Sequence, residues 1–224
     1  MKKRYITGAF ALLFFIVCCK NNQKSPVAQT HDSVRKPGSN ERNKTIIFFG
    51  NSLTAGYGLS PSEAFPALIQ HTIDSLGLKY KVINAGVSGE TSSGGNGRID
   101  WILRQPLDVF VLELGANDGL RGIPLSETKK SLQSIIDKVK AKNPSVKMIL
   151  AGMQIPPNMG QAYTTEFKNI YPELATKNKI TLIPFLLKGV GGETRLNQGD
   201  GIHPTAEGHQ IVAATIWQIL KPML

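Results

Sequence analysis

Three residues of this chain have the types that nucleophilic acyl transfer needs: Ser52, Asp200 and His203. A serine hydroxyl is a poor nucleophile near neutral pH. It needs a base to take its proton and a third group to orient that base. Asp200 and His203 stand three residues apart in the Gly-rich stretch "QGDGIHPTAEGH". At that spacing one tight turn sets a carboxylate beside an imidazole, where it fixes the tautomer and stabilises the imidazolium formed during attack. Ser52 lies in "TIIFFGNSLTAGYGL", directly after an apolar run that ends at Gly50 and Asn51. Taken singly these signals are weak: a serine in a turn is more often structural, and "DGIHP" also suits a loop with a satisfied histidine.

Acyl transfer also needs hydrogen-bond donors aimed at the oxyanion of the tetrahedral intermediate. The candidates are the backbone N–H of Ser52, the backbone N–H of Gly86 in "NAGVSGETSSGG", and the side-chain amide of Asn117 in "LELGANDGLRG". Glycine at 86 suits a close backbone approach to a ligand. Asparagine at 117 supplies donors without charge. The remaining histidines fit less well. His31 lies in a polar N-terminal segment, His71 reads as half-exposed on an amphipathic helix, and His209 reads as a surface or packing residue of the last helix. No His/Cys/Asp/Glu set has convincing metal spacing, and HExxH is absent.

The elements that must position these groups alternate along the chain. Apolar runs at 45–50, 80–86, 108–115, 146–152 and 180–185 read as strands. Helical spacing is expected at 62–76, 98–105, 125–142, 161–178 and 205–220. Ser126 and Thr205 are candidate caps, Pro106 stops the second helix, and Pro172 interrupts the fourth. This alternation predicts an α/β domain with a parallel sheet and right-handed crossovers. Ligands in such sheets bind beyond the carboxyl ends of the strands, where Ser52, Gly86 and Asn117 all fall.

The segments "FGNSLTAGYGL", "NAGVSGETSSGG", "LELGANDGLRG" and "DGIHPTAEGH" resemble, in order, the four sequence blocks of the SGNH (GDSL-like) hydrolases. The match is closest to the branch of bacterial arylesterases, lysophospholipases and acyl-CoA thioesterases, and spans about residues 45–221. The resemblance implies a flavodoxin-like three-layer sandwich with a five-stranded parallel sheet. It implies Ser52 as nucleophile, His203 and Asp200 as its triad partners, and the oxyanion donors already picked out. The reaction expected is hydrolysis of an ester or thioester through an acyl-enzyme, with no cofactor and no metal. One position departs from the pattern: the family's usual Gly-Asp-Ser is Gly50-Asn51-Ser52 here, an uncharged near-isostere of Asp. An α/β-hydrolase elbow, G-x-S-x-G, does not fit, because Thr54 stands two residues after Ser52.

The same catalytic residues would serve a carbohydrate O-acetylesterase. A surface binding lipoprotein without turnover is the rival from another class. Segments after the third and fourth strands are expected to wall an acyl pocket with Leu120, Ile123, Ile155 and Met159. Arg121 is placed either against a polar head group or in solvent.

The formal net charge of +10 is concentrated at the N-terminus, where residues 1–44 carry nine Lys/Arg against two Asp/Glu. The body has no dense basic patch interleaved with aromatics, so nucleic acid is not the expected partner. Lys2, Lys3 and Arg4 precede an uncharged, mostly apolar run at 5–17, which has the length of a signal-peptide core and is short for a membrane span. "FIVCCK" resembles a loose bacterial lipobox with Cys19 as the lipidated residue, although Cys18 stands where a small residue is usual. The expected organisation is a signal peptide at 1–19, a disordered tether at 20–44 and a hydrolase domain at 45–224. The protein would be exported by a bacterium and held to a membrane by the anchor, at the periplasm or cell surface. The body has no cysteine, so no disulfide can form within it.

Overall fold

The computed structural model describes residues 43–224. The expected signal peptide, most of the expected tether and Cys19 lie outside the described residues. Five strands form one parallel sheet: β1 (Lys44–Gly50), β2 (Tyr80–Gly86), β3 (Val109–Glu113), β4 (Lys147–Ala151) and β5 (Thr181–Ile183). Their order is β2-β1-β3-β4-β5. Strand β1 begins at Lys44, one residue inside the segment expected as tether.

The central strands are apolar without alternation because helices cover both faces. Ile46, Ile47, Phe48 and Phe49 of β1 are at most 1% exposed, and every residue of β3 is buried. Helix α2 (Phe65–Ser75) packs on α7 (Ala206–Leu220). Helices α3 (Ser92–Ile102), α5 (Leu125–Lys142) and α6 (Gln161–Asn178) form the other layer, α5 touching both neighbours. Two short helices follow strand ends: α1 (Ser52–Ala55) after β1 and α4 (Ala116–Leu120) after β3.

Three helices differ from the sequence expectation. α3 starts at Ser92 rather than near Arg98, despite Gly94, Gly95 and Gly97. Thr91 caps it, and the Ser92 N–H and hydroxyl both donate to the buried Asp118 carboxylate. α5 begins after Pro124 with no side-chain cap, so Ser126 lies inside its first turn. α6 runs unbroken through Pro172, which removes one backbone donor but leaves the packed face of the helix in place. Thr205 does cap α7, accepting from the Gly208 N–H.

The crossovers leave β1 in opposite directions, to β2 on one side and from β2 over to β3 on the other. That switch point opens a crevice at the carboxyl ends of β1 and β3. The register makes Gly50 level with Gly86 and with Glu113, so the three strand ends meet at one height.

Candidate active site

Ser52 is the first residue of α1, immediately beyond that edge. Asn51 caps the helix: its Oδ1 accepts from the Leu53 N–H at 2.9 Å. The cap is itself held from β3. The Asn51 side-chain amide donates to Glu113 Oε1 at 2.8 Å, the Asn51 backbone N–H donates to Glu113 Oε2 at 3.1 Å, and the Thr54 hydroxyl donates to the same oxygen at 2.8 Å. From β2, the Asn84 amide donates to the Thr54 carbonyl at 2.9 Å. A Cβ at Gly50 would stand 2.1 Å from Thr54 Oγ1 and 2.4 Å from Glu113 Oε2, so only glycine fits there.

Glu113 is a buried carboxyl at 1% exposure. Burial pushes its pKa up to about 7, against the hydrogen bonds from Thr54 and Asn51 that favour the charged form. Sequence reasoning passed over Glu113 and Thr54. The available signal was a single charge at the end of an otherwise apolar strand.

The loop before α7 brings the other two groups. Asp200 Oδ1 accepts from the backbone N–H groups of Ile202 and His203, each at 3.0 Å, which closes the tight turn. The Gln198 N–H donates to the His203 carbonyl at 2.7 Å and pins the loop base. Asp200 Oδ2 lies 2.6 Å from His203 Nδ1, and His203 Nε2 lies 2.9 Å from Ser52 Oγ. An ionised carboxylate only accepts, so Nδ1 carries the imidazole proton and Nε2 is free to accept from the serine. The hydrogen bond from His203, with those from the Ile202 and His203 N–H groups, lowers the Asp200 pKa to about 2. The Tyr57 ring covers one side of the imidazole at 4.6 Å between centroids.

The three oxyanion candidates are placed unequally. The Ser52 N–H is the first of α1, and the first N–H groups of a helix have no partner within it. The Asn117 amide, in the first turn of α4, donates to the Glu90 carbonyl at 3.0 Å and has a second N–H. Both Ser52 and Asn117 line the cavity. Gly86 does not line it, and its N–H donates to Asn84 Oδ1 at 3.0 Å. The close approach that Gly86 permits is to the turn that carries Ser52: a Cβ there would lie 2.3 Å from the Ala55 nitrogen and 2.8 Å from the Asn51 carbonyl.

The cavity has a volume of about 400 Å³. Its apolar wall includes Leu53, Leu120, Met153, Ile155, Phe185 and Leu187. Leu120 and Ile155 stand where the sequence put them. Ile123 and Met159 do not line the space; the segment after β5 supplies Phe185 and Leu187 instead. Arg121 is exposed and donates to the Gly89 carbonyl at 3.0 Å.

His71 is exposed rather than half-exposed. His209 is a packing residue at 2% exposure, stacked on Phe65, and its Nδ1 accepts from the Phe65 N–H at 3.1 Å. Among the described residues no group of three or more His, Cys, Asp or Glu side chains could hold a metal ion.

A doubly covered parallel sheet with a Ser–His–Asp relay at its switch point, opening on an apolar cavity, is the arrangement of a serine acyl-hydrolase. The chain belongs to the GDSL-like Lipase/Acylhydrolase family, whose model matches residues 48–211. It is 38% identical over 182 residues to Esterase TesA of Pseudomonas aeruginosa, covering 81% of this chain and 90% of the relative. It is also 38% identical to Thioesterase 1/protease 1/lysophospholipase L1 of Escherichia coli, covering 80% of this chain and 85% of that protein. A crystal structure of TesA superposes with a TM-score of 0.77 at 38% identity, covering 81% of this chain and all of that one.

Proposed function

We propose that the protein hydrolyses carboxylic esters or thioesters with an apolar acyl group, through an acyl-enzyme on Ser52. The observation that carries this reading is the unbroken relay Ser52 Oγ, His203 Nε2, His203 Nδ1, Asp200 Oδ2 at the mouth of an apolar cavity. His203 Nε2 takes the Ser52 proton as Oγ attacks the carbonyl carbon. The carbonyl oxygen becomes an oxyanion facing the Ser52 N–H and the Asn117 amide, with the Gly86 N–H joining once it is shared with or released from Asn84. Collapse breaks the bond to the alcohol or thiol, which leaves with the proton from His203. Water, deprotonated by the same imidazole, then attacks the acyl-enzyme and regenerates the serine. Asp200 stays ionised and balances the imidazolium at both stages.

The apolar wall favours an acyl chain over a sugar as the group bound beside Ser52. The test is turnover of p-nitrophenyl esters of short to medium acids, with acyl-CoA, lysophospholipid and acetylated glycans as the comparison panel. Ser52→Ala should abolish turnover and labelling by a fluorophosphonate probe. Unchanged turnover in that variant would sink the mechanism; glycan acetyl esters as sole substrates would reassign the cavity; absence of probe labelling in the wild type would favour a binding protein. The sequence at 1–44 further supports an exported protein held to a membrane through lipid on Cys19. Labelling with a palmitate analogue should mark the full chain and be lost in Cys19→Ala; labelling that survives the change would refute the anchor.

A further inference from the structure

We propose that Glu113 is a positioning residue of the reaction: its buried carboxylate sets the turn that carries Ser52, through hydrogen bonds to Asn51 and Thr54. The proposal rests on Ser52 being the nucleophile.

The donors that reach Glu113 come from Asn51 and Thr54, on either side of the serine. The bond to the side-chain amide also has a direction. Because Nδ2 of Asn51 is taken by Glu113 Oε1, Oδ1 is turned toward the Leu53 N–H and lies 3.4 Å from Ser52 Oγ. A flipped amide would set its NH2 against the Leu53 N–H, donor against donor, and undo the cap. The carboxylate therefore selects one rotamer of the cap, and the cap sets where α1 starts. The start of α1 fixes both the Ser52 hydroxyl, 2.9 Å from His203 Nε2, and the Ser52 N–H. Glu113 makes no hydrogen bond to His203 or Asp200 and does not line the cavity; it reaches the site only through Asn51 and Thr54, so it acts through the turn and touches no substrate.

Polarity along this contact makes the proposal testable by exchange. In Glu113→Gln the side-chain oxygen is needed by the Asn51 N–H and the Thr54 hydroxyl, which leaves the new NH2 facing the Asn51 NH2. Adding Asn51→Asp reverses both groups: the amide at 113 donates to the carboxylate at 51, whose other oxygen accepts from Leu53. The expected result for Glu113→Gln is a folded protein with kcat lowered roughly 10–100-fold, KM little changed, and fluorophosphonate labelling slowed in parallel, as for a nucleophile displaced by a fraction of an ångström to an ångström. The double variant should recover kcat to within about tenfold of wild type. A folded Glu113→Gln with kcat near wild type overturns the proposal, as does a folded double variant no faster than the single one. If Glu113→Gln does not fold, the double variant decides. If that fails too, Thr54→Val decides, since it removes only one hydroxyl from the cluster: a several-fold fall in kcat at constant KM supports the role, and an unchanged kcat refutes it. Ser52→Ala run alongside separates the two readings. Probe labelling that survives in Ser52→Ala removes the nucleophile assignment, whereas labelling lost there with Glu113→Gln unaffected removes only the positioning role.

Discussion

His209 offers a stability test with a definite sign. Its imidazole is buried between α7 and the start of α2, where Nδ1 accepts the Phe65 N–H and the ring stacks on Phe65 at 5.8 Å. Burial lowers its pKa from 6.5 to about 4; Glu63 opposes this, and His203 adds to it slightly. The folded pKa lies below the unfolded one, so the contribution of neutral His209 is intact above about pH 6.5 and is lost as pH falls toward 4. Between pH 8 and pH 5 the unfolded imidazole gains its proton and the folded one does not. At 1.36 kcal/mol per pKa unit, that costs about 2 kcal/mol of stability. Glu113 works in the other direction. Its folded pKa of about 7 is above the usual 4.5, so its contribution rises by about 2–3 kcal/mol as pH falls from 7 to 5. The two groups oppose each other in the wild type, so the effect of His209 must be read as a difference. His209→Asn keeps an acceptor for the Phe65 N–H and does not titrate. Urea unfolding followed by far-UV circular dichroism at pH 8 and pH 5 gives the stability of each protein. The variant should be less stable at pH 8 because the ring contact is lost, and that deficit should shrink by about 2 kcal/mol at pH 5. A deficit equal at both pH values would refute a neutral, buried acceptor at 209.

Asp200→Asn leaves the loop able to close but presents an amide to Nδ1, which drives the imidazole proton onto Nε2, facing the serine; kcat for p-nitrophenyl ester hydrolysis should fall by roughly 10³–10⁴-fold with KM nearly unchanged. If the Asn117 amide serves the oxyanion as proposed, Asn117→Ala should lower kcat by about 10²–10³-fold in the same assay, with normal thermal unfolding. Gly86→Ala sets a methyl 2.3 Å from the Ala55 nitrogen, so it should lower both the melting temperature and probe labelling of Ser52, whether or not the Gly86 N–H reaches the oxyanion. Asn51→Asp should fold and keep activity within about tenfold at pH 6, then lose ground to wild type at the higher pH where the carboxyl pair gives up its shared proton, as a pH series of initial rates would show.

The placement of the candidate site residues was legible where it is local in sequence. Asp200 and His203 are joined by a three-residue turn, and Ser52 and Asn117 each follow an apolar strand, so residue type and spacing sufficed. β2 and α5 likewise have the bounds that hydropathy suggests. Contacts between distant segments were not legible. Glu113 meets Asn51 across 62 residues, and only the register of β1 on β3 brings them level. α3 begins among glycines because its first turn is tied to Asp118 and because Gly95 lies against Phe49 and Leu114, where a Cβ would stand 2.4 Å from the leucine. Local propensity argues against a helix there, and packing overrides it. The cavity wall depends on how far the segment after β5 folds back over the sheet, which periodicity does not encode; hence Phe185 and Leu187 take the places expected for Ile123 and Met159. α1 and α4 span four and five residues, too short for a 3.6-residue period to register.

Position 51 joins these strands of reasoning. The amide nitrogen of Asn51 sits 2.8 Å from a carboxylate oxygen in a site closed to solvent. An aspartate in its place, as in the usual Gly-Asp-Ser pattern, would set two carboxyls at that distance, and like charges so close cannot both ionise. The pair would have to hold one proton to keep the same hydrogen bond. Asparagine brings its own donor, so the contact survives when Glu113 loses its proton near pH 7. The departure from the family pattern therefore leaves the relay of Ser52, His203 and Asp200 untouched. What it changes is the source of the proton that holds the serine turn to β3, making it a fixed part of the chain instead of one exchanged with solvent.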